Sequence, residues 1–233
     1  MYKIDTIAFD AYDTLWVNEI FFRESEERLA GMLAEFTTPG KLNKQISRSE
    51  METLHFYGYG IKWFTLSLID AALKVSDNRV PQEVIREILE MGKRQAQKPI
   101  QLLDGVHETL DALRGRYRLV MATKGDLAEQ RRKIADSGLA HYFDHIEVMR
   151  DKKGDNYTEL LAKLNCRPGE FMMVGNSMRS DILPVLGIGG HAVHIPSDST
   201  WAHEHVEGKP DHANFLELER LSDVPGCPFI TGS

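Results

Sequence analysis

Between Val106 and Pro196, apolar runs of strand length alternate with stretches of helical periodicity, and this alternation constrains the fold more than any other feature of the chain. A helix over Val106–Arg114 precedes a strand over Arg118–Ala122, a helix over Leu127–Ser137 and a strand over His145–Met149. A helix over Asn156–Leu164, a strand over Phe171–Gly175, a helix over Ser180–Leu186 and a strand over His191–Ile195 follow, until Pro196 stops the pattern. Repeated strand-then-helix units build a parallel sheet with helices on both faces, a doubly wound, Rossmann-like α/β core. Ligands of such sheets sit beyond the carboxyl ends of the strands.

One more strand is expected ahead of this run. Ile4–Phe9 is apolar, too short for a helix, and delivers Asp10 at its carboxyl end. From 18 to 97 the pattern is helical, with Phe21, Phe22, Leu29, Met32, Leu33 and Phe36, then Trp63, Leu66, Ile69 and Leu73, then Ile85, Ile88 and Leu89. Two domains are therefore expected: 1–17 with 98–233 as the α/β core, and 18–97 as an inserted all-helical domain. The stretch with Pro225, Gly226 and Pro228 reads as a loose tail, and no repeat or low-complexity tract appears.

Charge and cysteine usage narrow the class. With 233 residues, 42% of them hydrophobic, the chain can bury a sizeable core. Its 28 basic and 35 acidic side chains give a formal charge of −7, and no Lys/Arg run offers the footprint of a nucleic-acid binder. Cys166 and Cys227 lie far apart and are not expected to pair, and the opening Met-Tyr-Lys-Ile-Asp has no apolar signal core. No transmembrane span is evident. The expectation is a cytoplasmic protein with a small-molecule substrate, and neither nucleic acid nor membrane as partner.

Four strand ends carry polar residues of one chemical theme. Asp10-Ala11-Tyr12-Asp13-Thr14-Leu15 places an acid beside a hydroxyl residue. Thr123-Lys124-Gly125 offers a hydroxyl, a cation and a turn glycine; Asp151-Lys152-Lys153 offers an ammonium; Gly175-Asn176-Ser177-Met178-Arg179-Ser180-Asp181 offers a glycine turn with side-chain oxygens. Mg²⁺ takes oxygen ligands, commonly one or two carboxylates with water and a substrate phosphate, and Asp10 and Asp181 supply the carboxylates. A transferring phosphoryl group takes a cation and hydrogen-bond donors, which Lys152 and Thr123 supply.

In order and over nearly the whole chain, these four motifs resemble those of the haloacid dehalogenase superfamily with a helical cap after the first strand. The resemblance implies that Asp10 is the nucleophile that forms an aspartyl intermediate, with Thr123 and Lys152 as the second and third motifs and Gly175–Asp181 as the fourth. Lys153 is the rival for the lysine role; Lys152 is preferred because its spacing to Tyr157 is similar to the family pattern. Mg²⁺ would be held by Asp10, the Tyr12 carbonyl, Asn176 and Asp181.

Two positions depart from the pattern. Family phosphatases carry a general acid and base two residues after the nucleophile, where this chain has Tyr12. A bacterial subgroup with Asp-Ala-Asp-Asp-Thr-Leu-Trp resembles Asp10–Trp16 in all but this residue, while the 2-haloacid dehalogenases, with Asp-Ala-Tyr-Gly-Thr-Leu, share the tyrosine. An alkoxide leaving group needs a proton, and a placed general acid contributes typically about 10²–10⁴-fold; a departing halide needs none. Asp13 is the nearby substitute acid, although one position further along an extended segment its side chain should point elsewhere. Asn176 stands where many members have Asp, which removes a negative charge but keeps an oxygen ligand.

Each of these residues also has a plainer reading. Asp10 alone would pass as a turn acid, Thr123 as a loop hydroxyl, Lys152 as a solvated charge, and Asp181, with Ser180, as a helix cap. It is the set that favours chemistry. In His55-Phe56-Tyr57-Gly58-Tyr59-Gly60-Ile61-Lys62-Trp63, the residues Phe56, Trp63 and Phe64 read as core of the helical domain, and Tyr57, Tyr59 and Lys62 as candidate substrate contacts, with Thr14, Lys124 and Gly125. Arg23 reads as surface. His203-Glu204-His205 lacks the further ligands a Zn²⁺ site needs, and no phosphate-loop or dinucleotide fingerprint is present. The residues point to a hydrolase with an aspartate nucleophile, a Mg²⁺-dependent phosphatase of a small phosphorylated metabolite impaired by Tyr12. A metal-independent 2-haloacid dehalogenase-like enzyme and a non-catalytic phospholigand-binding protein are the alternatives.

Overall fold

A computed structural model describes residues 3–197, 201, 204, 206 and 208–231. The chain divides into two compact units, one of Met1–Glu19, Ile100–Lys124 and Gln130–Ser233, the other of Ile20–Pro99 with Gly125–Glu129.

The first unit is built on β1 (Thr6–Phe9), β2 (Arg118–Lys124), β3 (His145–Met149), β4 (Phe171–Gly175), β5 (His191–His194) and β6 (Phe215–Glu217). All neighbours pair in parallel, in the order β3-β2-β1-β4-β5-β6. This is the doubly wound order of Rossmann-like sheets.

The period-two alternation of the strands fills two apolar layers. Ile7, Phe9, Leu119, Met121, Met172, Val174 and Val193 face α5 (Val106–Leu113) and Ile134 of α6 (Leu127–Ser137). Ala8, Val120, Ala122, Phe171, Met173 and Ala192 face α7 (Gly154–Leu164) and α8 (Leu183–Gly187). Because both faces are covered, the strands read as nearly continuous apolar runs.

The stretch read as a loose tail is ordered. Leu221–Gly226 forms a 3₁₀ helix and Pro228–Thr231 a short helix, α9, and Leu221, Val224, Cys227 and Ile230 are buried in the first layer. Pro228 opens α9, where its missing N–H would have had no helical partner, and Pro225 lies inside the short 3₁₀ run. Both cysteines are free.

The second unit carries four helices among its described residues: α1 (Glu19–Met32, whose first residue belongs to the other unit), α2 (Pro39–Tyr57), α3 (Ile61–Val75) and α4 (Gln82–Gln97). Leu29, Leu33, Leu42, Ile46, Phe64, Leu68 and Ile88 are buried, and the Phe22 and Phe64 rings meet edge to face at 4.6 Å. Trp63 joins this core, but Phe56 does not: at the last turn of α2 it is 73% exposed. No described helix is long and apolar enough to cross a membrane.

Candidate active site

Phe9 lies beside Met121 and Val174, so the carboxyl ends of β1, β2 and β4 emerge together. The strand order reverses between β1 and β4, the switch point at which sheets of this type hold ligands. Asp10 leaves β1 with its N–H donating to the Val174 carbonyl at 2.9 Å.

The third-motif lysine ties the acids together. Lys152 Nζ contacts Asp10 Oδ1 and, at 2.7 Å, Asp181 Oδ1. All three side chains are shielded from water. Burial pushes the Asp10 carboxyl above its ordinary range, Lys152 opposes the rise and Asp181 adds to it. Burial works against the Lys152 ammonium, but the two carboxylates outweigh it and hold its affinity for the proton above normal. Lys153 points elsewhere: its side chain is 78% exposed and pairs with Asp151 at 2.8 Å.

The loop after β4 is shaped around Asp181. Asp181 Oδ2 accepts the Ser177 N–H at 3.0 Å, and Ser177 caps the following turn by accepting from the Ser180 N–H. That turn, Met178–Ile182, is π-helical and not the start of a regular helix, and the cap is Ser177, with Asp181 inside the turn. A Cβ on Gly175 would fall within 2.3–2.6 Å of the Asp181 side chain, so glycine is required for the acid to sit there. Asn176 Oδ1 accepts from Thr14 Oγ1 at 3.3 Å, and the Asn176 carbonyl lies 3.1 Å from His194 Nε2.

Thr123, at the end of β2, is fully buried, and its hydroxyl has no hydrogen-bond partner among the described residues. An orphaned buried hydroxyl near the carboxyl end of β2, the strand next to the one that delivers Asp10, suits a ligand oxygen. The donor set also suits a hard cation. With both carboxyls ionised, Asp10, Asp181 and Lys152 leave one negative charge in a buried place, and the Asn176 amide adds a neutral oxygen. No described group of three or more His, Cys, Asp or Glu could hold a metal, which is compatible with an ion that keeps water and substrate oxygens among its ligands.

The remaining candidates are distributed as follows. Tyr12 accepts a hydrogen bond at its phenolic oxygen from Lys133 Nζ at 2.8 Å, and Lys133 also reaches Asn18 Oδ1 at 3.3 Å. The Asp13 carboxylate accepts from the Asn18 and Glu19 N–H groups at 3.0 and 3.1 Å and so caps the start of α1. Lys124 Nζ contacts Glu204 and, at 2.8 Å, Ser180 Oγ. In the helical unit, Tyr57 is 58% exposed, the Tyr59 ring packs on Trp63 at 5.8 Å, and Lys62 pairs with Asp126 at 2.8 Å. Gly125 groups with that unit, at a φ of 147°. Arg23 is exposed on α1. His203 and His205 lie outside the described residues, whereas Glu204 between them is buried.

Two residues, Glu204 and Lys133, escaped the sequence reading. Glu204 and the hydroxyls of Ser177 and Ser180 form a network against the loop after β4, and the buried Lys133 holds Tyr12. Their partners come from distant parts of the chain, so only the alternating His-Glu-His run offered a signal, and it drew attention to the histidines.

A family model of haloacid dehalogenase-like hydrolases matches residues 4–189. Among curated proteins, the glyceraldehyde 3-phosphate phosphatase of Methanothermobacter thermautotrophicus is 33% identical over 115 residues, 46% of this chain and 48% of that protein. The N-acylneuraminate-9-phosphatase of Mus musculus is 32% identical over 93 residues, 38% of each. The chain thus matches less than half the length of either relative. A crystal structure of a haloacid dehalogenase-like family hydrolase from Xanthomonas campestris superposes with a TM-score of 0.86 at 32% identity, covering 96% of this chain and 89% of that one.

Proposed function

The chain belongs to the haloacid dehalogenase-like hydrolases, and from that premise we propose that it is a Mg²⁺-dependent phosphatase of a small phosphorylated metabolite, acting in the cytoplasm. The observation that supports this most directly is the buried triad of Asp10, Lys152 and Asp181, together with the unpartnered buried hydroxyl of Thr123 near the carboxyl end of the neighbouring strand. A phosphoryl group brings the acceptor oxygen that the Thr123 hydroxyl lacks and further acceptors for the Lys152 ammonium, and the two phosphatase relatives support the same reaction class.

In this reading an Asp10 carboxylate oxygen attacks phosphorus in line, the bond from phosphorus to the leaving oxygen breaks, and an aspartyl phosphate forms. Lys152 and Thr123 hold the phosphoryl oxygens as charge builds on them. Water then attacks phosphorus, releasing phosphate and the Asp10 carboxylate. Asp10, Asp181, Asn176 and the Tyr12 carbonyl would hold Mg²⁺, which supplies charge neutralisation for the phosphoryl group. Tyr12 offers no carboxyl to protonate the leaving alkoxide, and Asp13 is occupied at the start of α1, so turnover is slow relative to an enzyme with the general acid. The helical stretch 18–97 serves as a cap over the core of 1–17 and 98–233, with Tyr57, Tyr59 and Lys62 as its substrate contacts and Thr14, Lys124 and Gly125 as those of the strand ends.

The test is phosphate release from a broad phosphoester panel, with and without Mg²⁺, against Asp10→Asn. Release that needs both Mg²⁺ and Asp10 is expected, and silence across the panel overturns the proposal. Tyr12 favours a second reading, a metal-independent dehalogenase in which Asp10 displaces a carbon-bound halide. Chloride release from 2-chloropropionate without metal would select it. Tight binding of phosphate analogues with neither activity would select a non-catalytic phospholigand-binding protein.

A further inference from the structure

Glu204 is 6% exposed, and its carboxylate lies against the loop that presents Asn176 and Asp181. Oε2 accepts from the Ser177 hydroxyl and, at 2.6 Å, from the Ser180 hydroxyl, while Oε1 meets the Lys124 ammonium. Lys124 Nζ is also 2.8 Å from Ser180 Oγ, and Tyr157 donates to the Ser180 carbonyl at 3.0 Å. Two hydroxyls and an ammonium converge here as donors, and a carboxylate is the side chain with enough acceptor sites to take all three.

The network reaches the neighbours of both loop residues read above as cation ligands, Asn176 and Asp181. Ser177 adjoins Asn176 and gives its N–H to Asp181 at 3.0 Å, and its oxygen receives the Ser180 N–H at 2.9 Å. Ser180 adjoins Asp181. Fixing the two serines therefore fixes the backbone on either side of the oxygens offered to a cation. Glu204 also supplies a counter-charge to Lys124, which would otherwise bring a positive charge to the same loop.

We propose that Glu204 is a positioning residue for the divalent cation: through Ser177, Ser180 and Lys124 it holds Asn176 and Asp181 in the arrangement that binds Mg²⁺. This rests on the reading of those two residues as ligands given above. Groups that orient metal ligands typically change metal affinity by about 10–100-fold when removed, because an unheld ligand must be ordered at the moment of binding.

The experiment is calorimetric titration of the 233-residue chain with Mg²⁺ alone, for wild type, Glu204→Ala and Glu204→Gln. Circular dichroism confirms the fold of each, and phosphatase assays at varied Mg²⁺ run alongside. Glu204→Ala should weaken Mg²⁺ binding about 10–100-fold, and half-maximal activity should shift to higher Mg²⁺ by a similar factor, with kcat at saturating Mg²⁺ much less affected. Glu204→Gln, which keeps one acceptor oxygen but loses the charge, should fall between, and it carries the test if the alanine variant does not fold. Wild-type affinity in a folded variant overturns the inference and leaves the phosphatase reading standing. A wild-type protein that binds no Mg²⁺ overturns both.

Discussion

A buried hydroxyl without a partner, as at Thr123, costs about 1–3 kcal/mol, because water solvated it in the unfolded chain and nothing replaces that water on folding. Valine has nearly the same shape and carries no such cost. Thr123→Val should therefore leave stability to urea unchanged or raise it by about 1 kcal/mol, while phosphate release falls at least tenfold; a destabilised variant with full activity would make the hydroxyl structural. Asp10 and Lys152 were legible in the sequence because each stands at a strand end inside a patterned motif. Glu204 was not, since its contacts with Ser177, Ser180 and Lys124 join segments whose proximity only the closed sheet creates. Tyr12 was legible as a departure, but its hydrogen bond from Lys133 depends on how α6 packs.

Strands β1, β2, β4 and β5 were readable because both of their faces are buried, which leaves apolar runs between polar ends. Helix α2 was harder to see. Past Leu42 and Ile46 its buried positions are Ser49 and Glu50, so the apolar stripe that marks a helix in sequence is interrupted. Strand β6 has three residues, too few for any alternation to register. The junction of β4 with its loop gives a prediction at this scale. Gly175→Ala would set a methyl group within 2.3–2.6 Å of the Asp181 side chain; backbone or acid must shift, and an overpacked site of this kind costs typically about 1–3 kcal/mol. Thermal unfolding should show that loss together with a fall of at least tenfold in phosphate release, and retention of full activity would show that the acid can move without consequence.

For the molecule as a whole, the alternation from Val106 onwards sufficed to expect a doubly wound sheet, while the C-terminal stretch was misread because proline and glycine suggest looseness whatever lies under them. Leu221, Val224, Cys227 and Ile230 in fact complete one apolar layer. A fully buried aliphatic side chain contributes about 1.5–3 kcal/mol, against a total stability of about 5–15 kcal/mol. A chain ended at Glu219 should therefore lose its cooperative thermal transition in calorimetry, and an unchanged midpoint would mean the layer is dispensable. The position of β1 has a consequence for how this protein is made. Thr6–Phe9 is synthesised well before its two neighbours in the sheet, Arg118–Met121 and Phe171–Val174. The helices up to Gln97 meet their packing partners soon after synthesis, whereas the strand preceding Asp10 has no partner until Met121 has been made and only one until Val174 has, an exposed apolar segment during the interval in which a nascent protein is most prone to aggregate.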